Sequence, residues 1–154
     1  MKKLKIGAVH WTDLTVDHAE KAKEFYKQVI GWEEEVVDMN GYEDYCMMLP
    51  EYSTPAAGIC HKKGENQDIP SLWLVYIVVE NLQKAIEKCE KYGGKILSPV
   101  KTMSEGTYVV IQDSLGAVCA LFEEKEKQEV LIEDLQNMKK NWHKDINPCK
   151  KMKK

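Results

Sequence analysis

The 154-residue chain contains no arginine: all 22 basic residues are lysine. Bidentate guanidinium clamping of a carboxylate or phosphate is thereby excluded, and an anionic ligand would have to rely on lysine, backbone amides or a metal. The chain also lacks a long apolar run. The longest, Leu72 to Val79, falls far short of the ~20 residues needed to span a bilayer and reads as a buried strand. Cysteine is sparse and unpaired in pattern. Positions 46, 60, 89, 119 and 149 form no C-x-x-C motif, so the sequence predicts neither a disulfide framework nor a zinc knuckle, and a reducing cytoplasm is the expected location. The basic opening Met-Lys-Lys-Leu-Lys resembles a secretory leader, but His10 and Asp13 interrupt it before an apolar core forms, so export is not expected. Only nine Gly and five Pro occur, with 44% hydrophobic and 31% charged residues. That composition excludes a disordered chain and fits one core-forming domain.

Charge is unevenly placed. Residues 139–154 hold seven Lys and one Asp, while the remaining chain carries 15 Lys against 24 acidic residues. A body with net charge −9 repels nucleic acid backbones, so no nucleic-acid partner is expected.

Hydrophobic periodicity divides the chain into two similar halves. The first reads as a strand over 5–16, an amphipathic helix over 18–30 ended by Gly31, and strands over 32–39, 42–49 and 56–62. After a polar linker at 64–70, the second gives a strand over 72–79, a helix over 82–92 stopped by Gly93-Gly94, and strands over 95–97, 107–112 and 117–123. Both halves are βαβββ. A 63-residue offset aligns Val16 with Val79, Asp17 with Glu80, Ala22 with Ala85 and Gly31 with Gly94. Such a repeat predicts an α+β domain at 1–124, with modules at about 5–62 and 72–123 related by a pseudo-twofold axis around a shared interior. Beyond it, Leu131, Leu135, Met138 and Trp142 draw an apolar seam that predicts a C-terminal helix, followed by a lysine-rich tail.

Several segments together resemble the vicinal oxygen chelate superfamily of glyoxalases, bleomycin resistance proteins and dioxygenases. They are W-T-D-L-T at 11–15, A-K-E-F-Y at 22–26, G-W at 31–32, A-G-I-C-H-K-K-G-E-N at 57–66, Y-G-G-K at 92–95 and I-Q-D-S-L-G-A-V-C-A-L-F-E at 111–123. The resemblance covers about residues 5–124 and implies the double βαβββ fold. For enzymes of the family it implies a metal held by His, Gln and Glu on the first and last strands of each module. The corresponding positions here are Trp11, Leu74, Ala120 and the stretch 57–59. Apolar residues cannot supply the three or four converging donors a divalent cation requires, so no cofactor is expected. A displaced set of ligands, His10, His61 and Glu105, is the fallback if a divalent metal is bound. The family's habit of pairing subunits implies a homodimer.

Strand alternation assigns side chains to faces. It points Val9, Trp11, Asp13 and Thr15 inward with Leu72, Leu74, Tyr76 and Val78, and puts His10, Trp73, Val75 and Ile77 on the helix-covered side. Asp13 and Tyr76 fall at equivalent positions of the repeat, which predicts a carboxylate and a phenol near one another. The expected ligand-binding set is Trp11, Asp13, His61, Leu74, Tyr76, Tyr108 and Ala120. Asp13 and His61 are the candidates for proton transfer, each with a structural rival: a backbone hydrogen bond at the sheet's end for Asp13, and support of the following loop for His61. The expected function is binding of a small, flat organic molecule without a metal centre. The alternatives are a metal-dependent glyoxalase-like lyase or dioxygenase, and a non-catalytic interaction module.

Overall fold

A computed structural model describes residues 3–126; the C-terminal helix expected at 129–142 lies outside them. Nine strands and two helices follow in the order β1 (Val9–Val16), α1 (Ala19–Ile30), β2 (Glu33–Asp38), β3 (Glu43–Met48), β4 (Pro55–His61), β5 (Trp73–Val79), α2 (Leu82–Lys91), β6 (Lys95–Ile96), β7 (Lys101–Met103), β8 (Gly106–Gln112) and β9 (Val118–Glu124). The two predicted βαβββ halves are present, and β7 is an additional short strand that the sequence did not mark.

Each helix forms for a local reason. In α1, Ala19, Ala22 and Tyr26 recur at intervals of three and four and pack onto the sheet, while Phe25 and Val29 on the other side stay exposed. Gly31 ends the helix at φ 85°, a left-handed conformation available to glycine without side-chain strain. Asn81 caps α2 by accepting from the Lys84 amide at 2.8 Å. The Glu123 carboxylate also accepts from the Leu82 amide at 2.6 Å, tying the start of α2 to β9.

All strands join one sheet in the order β2-β3-β4-β1-β5-β9-β8-β6, with β7 pairing β8. Within each module the first and last strands run parallel: Asp13 faces Gly58 across β1 and β4, and Tyr76 faces Ala120 across β5 and β9. The modules meet where β1 and β5 pair antiparallel, with Thr12 opposite Val75. These two are also counterparts under the 63-residue offset, so the pseudo-twofold axis passes between them. The sheet of the pair is therefore continuous within one chain.

The two faces of the sheet bury different sets. On one, Leu14, Tyr45, Met47 and Ile59 pack under α1, and Leu82, Val109 and Ile111 pack with α2. The other face carries no helix among the described residues. There Leu74, Tyr76, Val78, Tyr108, Val110, Ala120 and Phe122 form a cluster joined by Trp11, Met103 and Ile69. Val37 and Cys46 extend it into the first module, again in contact with Trp11. Trp11 thus spans the seam between modules. The linker between them crosses one end of this face: Ile69 is 2% exposed in the cluster, and the Lys101 ammonium holds the Asp68 carboxylate at 2.5 Å and the Glu65 carbonyl.

Candidate functional site

The helix-free face is built from the paired first strands outward. Trp11 stands opposite Tyr76, and Asp13 opposite Leu74. Tyr76 reaches diagonally across the ladder, placing its hydroxyl 3.3 and 3.4 Å from the two Asp13 carboxylate oxygens. Asp13 and Tyr76 are buried, at 6% and 2% exposure respectively. Tyr108 meets the Tyr76 ring edge-on with centroids 5.3 Å apart. Burial, and after it the Asp13 charge, push both phenols above the ordinary tyrosine range, so they remain protonated, and Tyr76 donates to Asp13.

Gly58 makes room for this arrangement. A Cβ there would stand 3.1 Å from the Asp13 Cβ and 3.8 Å from the Trp11 ring. Gly58 lies in the stretch 57–59 matched to a metal position but outside the expected ligand-binding set, and its signal is the small-residue run Ala56-Ala57-Gly58 at the point where β4 passes a tryptophan. Among the described residues the buried Trp11 indole N–H finds no hydrogen-bond partner. A buried donor left unpaired is costly to stability and calls for a reason outside packing.

Other sequence expectations change. A β-bulge lies between Val9 and Trp11, so strict alternation fails at that point. His10 accordingly belongs to the helix-free face, contrary to its assignment under the helix. Its ring stacks on buried Phe122 with centroids 5.4 Å apart and 24° between planes. Val9, predicted inward, is 65% exposed. His61, expected in the ligand-binding set, instead turns toward the start of α1. There one ring nitrogen lies 2.6 Å from Glu20 and the other 2.8 Å from the Glu43 carbonyl, while Asp44 accepts from the His61 amide at 2.6 Å. His61 thus ties the end of β4 to α1 and to the start of β3, rather than to the loop that follows it.

The displaced metal set does not assemble. His10 and Glu105 approach to 3.9 Å, but His61 sits beside Val16, six residues farther along β1, or about 20 Å at the usual rise per residue. Trp11, Leu74 and Ala120 do share the helix-free cluster, with Gly58 against Trp11. None of the four carries a metal donor; an indole N–H donates but does not ligate. Among the described residues no group of three or more His, Cys, Asp or Glu could hold an ion. The residues at the family's metal positions therefore do not fit a metal.

A cavity of about 470 Å³ opens at the His10 end of this face, lined by Val9, His10, Trp11, Thr12, Ala56 and Glu105, with Pro55. Its size suits a small organic ligand.

A double βαβββ sheet with an interior on its helix-free face defines a class, and the chain belongs to it: the family model of the Glyoxalase/Bleomycin resistance protein/Dioxygenase superfamily matches residues 8–124. The protein is similar to "Putative glyoxylase CFP32" of Mycobacterium bovis, with 26% identity over 127 residues, covering 76% of this chain and 46% of that one. The chain thus spans less than half the length of this curated relative. Its fold is similar to that of a hypothetical protein from Bacillus halodurans, at TM-score 0.51 and 14% identity, covering 82% of this chain and 100% of the other. Methylmalonyl-CoA epimerase from Mycobacterium tuberculosis aligns at TM-score 0.49 and 15% identity, over 82% of this chain and 94% of that one. No described helix is long and apolar enough to cross a membrane.

Proposed function

We propose that this protein binds a small, flat organic molecule on the helix-free face without a metal centre, acting in the cytoplasm. The observation that carries the proposal is Trp11: it occupies a position where the family's enzymes hold a ligand to metal, spans both modules, and keeps a buried indole N–H that no described residue accepts from. Around it stand an aromatic and aliphatic wall and a few convergent polar groups, the usual makeup of a small-molecule site. The phenol of Tyr108 offers a proton, the Asp13 carboxylate accepts from and fixes the Tyr76 hydroxyl, and Leu74 and Ala120 supply apolar floor. A ligand accepting from the indole N–H would relieve its desolvation cost, which gives the site a preference for a bound over an empty state. Because β1 and β5 pair within one chain, a homodimer, which the family resemblance suggests, would not be needed to complete the site.

The test is a thermal-stabilisation screen of flat aromatic and heteroaromatic compounds against the wild-type chain and Trp11→Ala. Compounds that stabilise the wild type and not the variant support the reading. Equal stabilisation of both proteins, or of neither, overturns it.

A further inference from the structure

Val37 and Cys46, on the first module's half of the helix-free face, are 1% and 0% exposed. The described apolar residues packed against them are Trp11, Met39 and Met48, which belong to the same strands or directly follow β2. On the second module's half, Ile69 of the linker and Leu4 lie against the cluster; no described apolar side chain from outside the sheet does the same for Val37 and Cys46. A single sheet leaves its face open to water, and burial this deep calls for a second layer.

The chain supplies a segment that fits. Residues 127–154 continue from the end of β9, and β9 lies four strands away from β3, which carries Cys46. At the usual strand spacing that is about 19 Å, and a helix over 129–142 would measure about 21 Å. The seam of Leu131, Leu135, Met138 and Trp142 needs an apolar face to lie on. Past it the chain is basic, with seven Lys and one Asp over 139–154. Strand alternation turns the carboxylates of Asp13, Glu33 and Glu35 toward the helix-free face, and no lysine of β1–β4. We propose that the chain's own residues 127–154 dock across the first module's half of this face, the seam resting on Trp11, Val37 and Cys46 and the lysines beyond it reaching Glu33 and Glu35 at the β2 edge. This docking does not depend on which ligand the cavity takes.

The cysteines provide the test. Cys46 and Cys60 belong to the helix-free face, Cys89 and Cys119 pack with α2 on the other, and Cys149 lies in the segment. Full-length protein is reduced, diluted and oxidised with copper–phenanthroline, dissolved oxygen taking the electrons, and the linked peptides are identified by mass spectrometry. A disulfide traps only cysteines that come within about 7 Å between Cα atoms. The expected product joins Cys149 to Cys46 or Cys60 within one chain, and its yield should fall severalfold in Leu135→Asp/Trp142→Asp. Circular dichroism checks that this variant folds, and Leu135→Ala/Trp142→Ala replaces it if it does not. Links from Cys149 to Cys89 or Cys119, links only between chains, as a second copy on this face would give, no link at all, or a yield indifferent to the seam each overturn the proposal. None of these results bears on the compound screen, so the ligand reading stands or falls separately.

Discussion

Single residues on the helix-free face are held by contacts that make specific demands. Tyr76 donates to Asp13 over long distances of 3.3 and 3.4 Å, so Tyr76→Phe should cost about 0.5–1.5 kcal/mol in urea unfolding; an unchanged midpoint would show that the hydroxyl adds nothing. Gly106 allows no side chain, since a Cβ there would fall 2.0 Å from the Glu123 carbonyl oxygen and 2.9 Å from the Phe122 ring. Gly106→Ala is therefore expected to destabilise by about 1–3 kcal/mol or more, and a neutral result would mean that the β8–β9 backbone yields easily. Tyr76 and Tyr108 have raised pKa values in the folded chain. Their stabilising contribution is fully present below the ordinary tyrosine pKa of about 10 and is lost as pH climbs through the higher folded values. In an alkaline titration followed at 295 nm, these two should stay silent until the far-ultraviolet dichroism collapses. Ionisation of all seven tyrosines in a still-folded protein would contradict their burial.

The helices are capped unequally. Asn81 caps α2 with its side chain, whereas His18 precedes α1 at φ −122° and makes no side-chain cap. Asn81→Ala should cost about 1 kcal/mol, and His18→Asn should gain about 0.5–1 kcal/mol, both measured by chemical denaturation. Element positions were legible because their signals are local. Gly31 stops α1 after a 3.6-residue apolar stripe, and the eight-residue run at 72–79 could only be a buried strand. Short β7 was missed because Lys101–Met103 has too few residues to alternate, and its pairing with β8 is a tertiary fact. The bulge was missed for a similar reason. Nothing in Val9-His10-Trp11 marks an extra residue, yet it decides which face receives the imidazole of His10.

At the scale of the whole molecule, the 63-residue repeat foretold more than either module alone. It set Asp13 and Tyr76 at equivalent positions, and the antiparallel β1–β5 ladder then brings the carboxylate and phenol into contact. His61 was misplaced because a sequence position at a strand end does not reveal which neighbouring element will capture the side chain; Glu20 on α1, 41 residues away in sequence, does so here. The central claim concerns the interior as a unit: two modules enclose an organic site whose metal positions hold Trp11, Gly58, Leu74 and Ala120. The most direct measurement is the melting temperature of chelator-treated protein with each stabilising compound at about 100 times its Kd, before and after adding Zn, Ni, Mn, Fe or Ca. Binding at that saturation is worth about 2.7 kcal/mol, or roughly 5–10 °C for a chain of this size. The account predicts the full shift in the presence of chelator, lost in Trp11→Ala and unchanged by any ion. Stabilisation that appears only after one of these metals is restored would contradict it.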